Sequence, residues 1–248
     1  MRKFFTQKLI TPALAVLLAL TAVGVTLGAV SWAEAAQPAM ASVNLYEQAI
    51  ADAMTIEPDE IRPVVNITPQ SDMATVSDND DVLLITWHKY PDSYIPGQDV
   101  TLSYGEVWSF TDKEMAEWYD GHKAGVTDWE LRFEELLGLP EDKEYTHFTG
   151  LWVPVDAVKR PAYSYDITQP VTQTQFDDSA DAAFVSWFDD NIIYSYFDNA
   201  YPWTRLGYTY DWSGDEYGLS EFIIEKDTVA HVAFTYTTDE FIGWLETQ

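Results

Sequence analysis

Cysteine is absent from the 248 residues, and that absence closes several routes together. The chain has no disulfide, no thiolate metal site, no cysteine nucleophile and no lipid anchor of the kind attached to a processed cysteine. Cations are scarce as well, with 13 Lys+Arg against 41 Asp+Glu and a formal net charge of −28. A field of that sign repels the phosphates of nucleic acids and anionic lipid headgroups, so neither is expected as a partner. Catalytic signatures are missing too. The four histidines show no H-x-x-x-H or H-E-x-x-H spacing, and there is no G-x-S-x-G, P-loop or G-x-G-x-x-G, so no metal and no cofactor is implied.

What is present begins with an address. Arg2, Lys3 and Lys8 precede an apolar run from Leu9 to Val30, and Ala33, Glu34 and Ala35 form an A-x-A pattern. This reads as a secretory signal over residues 1–35, with an uncleaved anchor as the competing reading because the run is long. Membrane contact is expected only through this segment. Residues 36–248 then form a single extracytoplasmic domain, secreted or held at the cell surface. Removing the leader takes away three cations and one acid, leaving 10 Lys+Arg against 40 Asp+Glu. Such acidity keeps an exported chain soluble, and it leaves a neutral glycan, a cell-wall component or a cationic protein as acceptable partners.

The pattern along the chain predicts an α+β fold, with an antiparallel or mixed β-sheet built from hairpins and packed amphipathic helices. "VLLITWHKY" (82–90) and "VTLSYGEVWSF" (100–110) flank a Pro-Gly turn and read as one hairpin. "LSEFIIE" (219–225) and the strand at 228–236 read as another. Capping boxes are predicted at Thr111/Glu114, Thr127/Glu130 and Thr237/Glu240, each opening a helix, and a further helix is expected over 179–197. The likeness of "FTDKEMAEWY" to "YTTDEFIGWL" suggests either a repeated strand-then-helix unit or shared capping grammar.

Candidate site residues come from two anomalies. In "PWTRLGYTYDW" strand alternation places Leu206, Tyr208, Tyr210 and Trp212 on a core face and Trp203, Arg205, Thr209 and Asp211 on the other. Arg205 would then pair with a carboxylate or clamp a ligand anion, with Tyr201 and Trp203 stacking on a sugar ring. In 100–110 the same parity puts Glu106 among apolar residues, unless a bulge at Gly105 turns it to solvent. Two functions follow: a binding module for glycan or cell-wall material, or a hydrolase using Glu106, His88 and His147 with Arg205 as anion clamp. The acidic loops 77–81 and 211–216 read as solvated, since neither fits an EF-hand.

Overall fold

The computed structural model describes residues 44–198, 200–214 and 217–248; the leader predicted over 1–35 lies outside the described residues. Its strands are β1 (Asp81–His88), β2 (Asp99–Thr101), β3 (Val107–Thr111), β4 (His147–Pro154), β5 (Val158–Lys159), β6 (Phe222–Ile224) and β7 (Val229–Thr237). They form one antiparallel sheet of order β2-β7-β4-β1-β3-β6-β5. The helices are α1 (Leu45–Ala53), α2 (Asp112–His122), α3 (Trp129–Leu136), α4 (Ala182–Ile193) and α5 (Thr238–Leu245). The predicted α+β class therefore holds.

Alternation along β1 builds two cores. Val82 and Leu84 face a cluster with Leu151, Val153, Val232 and Phe222, while Ile85 and Trp87 face Phe133, Phe148 and Phe241 together with Met115 and Leu245 from the helices. A third cluster joins α1 and α4 to the aromatic segment after them, through Phe184, Phe188, Trp203, Tyr210 and Trp212. Its apolar residues account for the third helical face, so each long element buries one stripe as the periodicity requires.

Pairing departs from expectation in two places. Of the first predicted hairpin, only Phe110 and Thr111 pair with β1, opposite Ile85 and Leu84, whereas 99–101 joins β7 at the far edge. The strands of the second, 219–225 and 228–236, both form but do not pair with each other: β6 lies between β3 and β5, and β7 between β2 and β4. Leu102 takes the place of mutual pairing at the turn. Its N–H donates to Thr228 O and its carbonyl accepts from Asp227 N, both at 2.9 Å. A turn clamped by a distant residue frees its two strands to seek other neighbours.

The caps differ likewise. Thr237 and Glu240 make the full reciprocal box at α5. At α2, Thr111 is the N-cap without a side-chain bond, because Glu114 turns inward to accept from Ser220 N and Oγ at 3.0 and 2.9 Å. At α3 the cap is Asp128 rather than Thr127, accepting from Leu131 N at 3.1 Å.

The segment 203–212 is not a regular strand. It makes only two isolated bridges, Ala162–Leu206 and Tyr208–Ser220, and Arg205 and Gly207 have φ of 62° and 87°, which breaks the two-residue alternation. Consequently Trp203, Thr209 and Asp211 are buried along with Leu206, Tyr208 and Tyr210. Gly207 earns its place by proximity. A Cβ there would lie 2.2 Å from Cδ of Arg160, and Arg160 is wholly buried. That guanidinium donates to the carbonyls of Asp166, Gln169 and Val65 at 3.0, 2.9 and 2.6 Å. Burial pushes it down to about 10, so the carbonyl cage is what keeps a charge tolerable inside.

Candidate functional site

β1 and β3 touch along only two residue pairs and then part: Thr86, Trp87 and His88 continue beside β4, while Val107, Trp108 and Ser109 turn to pair with β6. A cavity of about 830 Å³ is lined by both of these diverging arms. Its remaining walls come from the 100–106 segment, the end of α3, and the chain following α4. Volume and lining place it in the range of small-ligand sites, which are concave, mostly apolar and carry a few convergent polar groups.

The walls are unusually aromatic, with Trp87, Trp108, Tyr145, Tyr201 and Trp203 among them. Trp203 is held edge-on to Trp108 at 6.1 Å and against Phe188 at 4.7 Å. Four polar atoms on these walls are buried yet have no hydrogen-bond partner among the described residues: Trp87 Nε1, Asn191 Nδ2, Trp203 Nε1 and Glu221 Oε2. Buried polar groups are nearly always paired. Three donors and a carboxyl oxygen without a protein partner thus lie on the walls of one cavity, four of the nine such atoms among the described residues.

Glu221 precedes β6 and shares its parity with Ile223, which packs beside Trp108 and Trp203. Burial pushes its carboxyl up to about 8 from 4.5. Sequence reasoning passed over it, although a signal existed: in "LSEFIIE" Leu219, Glu221 and Ile223 alternate as a core face, the argument applied to Glu106 one strand earlier. Glu106 itself is exposed, because the strand is interrupted at 102–106. The parity that placed it on an apolar face does not run through that break.

The predicted site residues divide. His88, Glu106, Tyr201, Trp203 and Thr209 all line the cavity, and His147, Arg205 and Asp211 are not part of its lining. His88 is buried and internally satisfied. Tyr90 N donates to its Nδ1 at 3.0 Å, so Nε2 carries the proton and donates to Thr149 Oγ1 at 2.7 Å. Thr149 passes the chain to Thr235 at 2.9 Å, which donates to Tyr94 O at 2.7 Å. Burial, with His147 alongside, lowers His88 to about 4, a neutral ring fixed in one tautomer. Thr209 Oγ1 donates to Leu136 O at 2.7 Å and accepts from Leu219 N at 2.9 Å.

Arg205 donates to the carbonyls of Ala53 and Met54 at 3.0 and 3.1 Å, at the C-terminal end of α1. There its charge meets the negative end of the helix dipole and its last unbonded carbonyls. This cation caps a helix; it does not pair with Glu106. Asp211, 1% exposed, grips Arg132 through two parallel bonds of 3.1 and 2.5 Å. In the acidic loops, Ser77 Oγ accepts from Asn79 N and Asp81 N at 3.2 and 3.1 Å, and part of 211–216 lies outside the described residues.

Three acids give the stability a pH signature. Burial raises Glu114 to about 7, opposed by its bonds to Ser220, Glu134 to about 7 and Glu221 to about 8. Folded pKa values above the ordinary 4.5 mean that the folded chain holds protons the unfolded chain has released, so stability falls as pH rises between about 4.5 and 8. His88, lowered to about 4, acts in the opposite sense below 6.5, but the acids outnumber it, so thermal melting should be higher near pH 5 than near pH 8. Glu221→Gln should melt roughly 3 °C or more above the parent at pH 8.5 and lose that advantage at pH 5; equal melting at both pH values would refute the assignment. Comparison with protein-family models, curated proteins and solved structures finds no match for this chain.

Proposed function

We propose that the chain is an extracytoplasmic binding module for glycan or cell-wall material, and that the cavity in the forked sheet is where the glycan sits. The observation that supports this reading is the set of open donors on aromatic walls. The C–H faces of a sugar ring stack on indole and phenol rings, while its hydroxyls both accept from the open N–H groups of Trp87, Trp203 and Asn191 and bond the Glu221 carboxyl. An aliphatic ligand would leave those donors unpaired. The leader and the acidity suit export, and the same acidity leaves a cationic protein as a partner elsewhere on the surface.

Calorimetric titration with soluble oligosaccharides and peptidoglycan fragments tests it. Saturable binding is expected, and Trp203→Phe, which keeps the ring and removes the N–H, should weaken it roughly fivefold, the loss of one hydrogen bond of about 1 kcal/mol. Absence of saturable binding to every glycan would sink the reading. The hydrolase alternative retains one supporting observation, that His88 and Glu106 share the cavity; Arg205, engaged at α1, would have no part in it. Cleavage products in the same titration samples would favour it.

A further inference from the structure

We infer that the ligand of this cavity is an amino sugar, a glycan unit whose free ammonium group is received by Glu221 between the aromatic walls. The inference rests on the glycan reading above and adds to it the charge of the ligand.

Glu221 is the starting point. Its Oε2 is fully buried and unpartnered among the described residues, and a buried carboxyl left in that condition is costly unless a cation or strong donor arrives. Among the described residues no cation is paired with it: the ion pairs join Lys123 to Asp120 and Glu246, Arg132 to Glu135 and Asp211, Lys159 to Glu225 and His231 to Asp99. Arg160 and Arg205 spend their forks on backbone carbonyls.

The surroundings favour the same ligand charge. Trp108 and Trp203 line the same cavity as Glu221, and the negative faces of aromatic rings attract an ammonium ion, more strongly once water is excluded. Burial alone holds the Glu221 carboxyl up near 8; an ammonium ion beside it favours the ionised form and reverses that preference. A neutral acetamido or hydroxyl group does not. Around this local arrangement stands the field of a chain with a large excess of acids, which raises the concentration of cationic ligands at its surface.

The experiment compares the glucosamine disaccharide with its N-acetylated counterpart by calorimetry at pH 7 in 0.15 M salt, on the parent chain, Glu221→Gln and Glu117→Gln. Glu117 is exposed on α2 and lies outside the cavity, so its variant makes the same substitution without touching the site. The free amine should bind at least tenfold tighter than the acetylated sugar. Glu221→Gln should bring the two within about twofold, and Glu117→Gln should preserve the difference. Equal or tighter binding of the acetylated sugar overturns the inference and leaves the glycan reading standing. A preference that survives Glu221→Gln also overturns it, assigning the selectivity to the overall field. Failure of both sugars and of every other glycan removes the glycan reading itself.

Discussion

Arg160→Met should lower the stability by about 4 kcal/mol or more and the melting temperature by roughly 8–16 °C. Methionine fills most of the volume and carries no charge, so the loss of the cation alone is a relief. What remains is the cage. The carbonyls of Val65, Asp166 and Gln169 were arranged around the guanidinium, and each buried acceptor without a donor loses about 1–3 kcal/mol. Gly207→Ala attacks the same point from the other side, combining a φ of 87° with a Cβ 2.2 Å from Arg160 Cδ. Alone it should cost about 3 kcal/mol, yet in the Arg160→Met background less, because the flexible thioether yields where the bonded guanidinium does not. Urea unfolding of both single variants and the double variant measures this. Full additivity, or an Arg160→Met variant melting within 2 °C of the parent, would contradict the account.

The second large effect is expected at Arg132 and Asp211. The carboxylate is 1% exposed and the arginine side chain 12%, and Arg132 also lies 4.8 Å over the Trp118 ring. Removing one member of such a pair leaves the other charged and buried, a loss of about 3–5 kcal/mol. The two sides are unequal. Arg132→Met strands a fully buried carboxylate whose remaining partner is Ser213, at 3.1 Å from N and 2.7 Å from Oγ, while Asp211→Asn keeps an acceptor for the fork. Arg132→Met should therefore be the more damaging, and the double variant should fall short of the sum by 2 kcal/mol or more. A cycle that closes additively would show the pair to be decorative.

Local grammar was legible in the chain wherever the deciding contacts are local. The Thr237/Glu240 box is read correctly because both members lie within one helical turn and nothing competes for them. The identical-looking Thr111/Glu114 pair fails because Ser220, 106 residues away, offers Glu114 two donors. The strands of both predicted hairpins were found but their pairing only in part, β1 meeting β3 over two pairs and β6 not meeting β7, since pairing depends on contacts such as Leu102 with Asp227 and Thr228 that no local pattern encodes. The aromatic run at 203–212 imitated a strand by its spacing. Only the backbone at Arg205 and Gly207 shows that the period is interrupted, and one of those residues is not a glycine, so composition gave no warning. The arginine that matters most to the interior, Arg160, sits in "VKRPAY" without any periodic context, and its burial follows entirely from chain segments that meet it from elsewhere. Site legibility was partial in the same way: Tyr201, Trp203 and Thr209 reach the cavity, but by packing inward rather than by standing on a solvent face.

The two pairs that join β1 to β3 also bear on how the molecule yields under thermal agitation. With so short a seam, the sheet divides into two leaves: β2-β7-β4-β1, held by the long β1–β4 and β4–β7 ladders, and β3-β6-β5, whose own ladders run to three and two pairs. Cooperative units of this kind open at different free energies. Opening at the seam would widen the mouth between the leaves without breaking the β1–β4 or β4–β7 ladders. A ligand of the proposed kind lodged there would touch both leaves, and would add across the seam the adhesion that the backbone itself withholds.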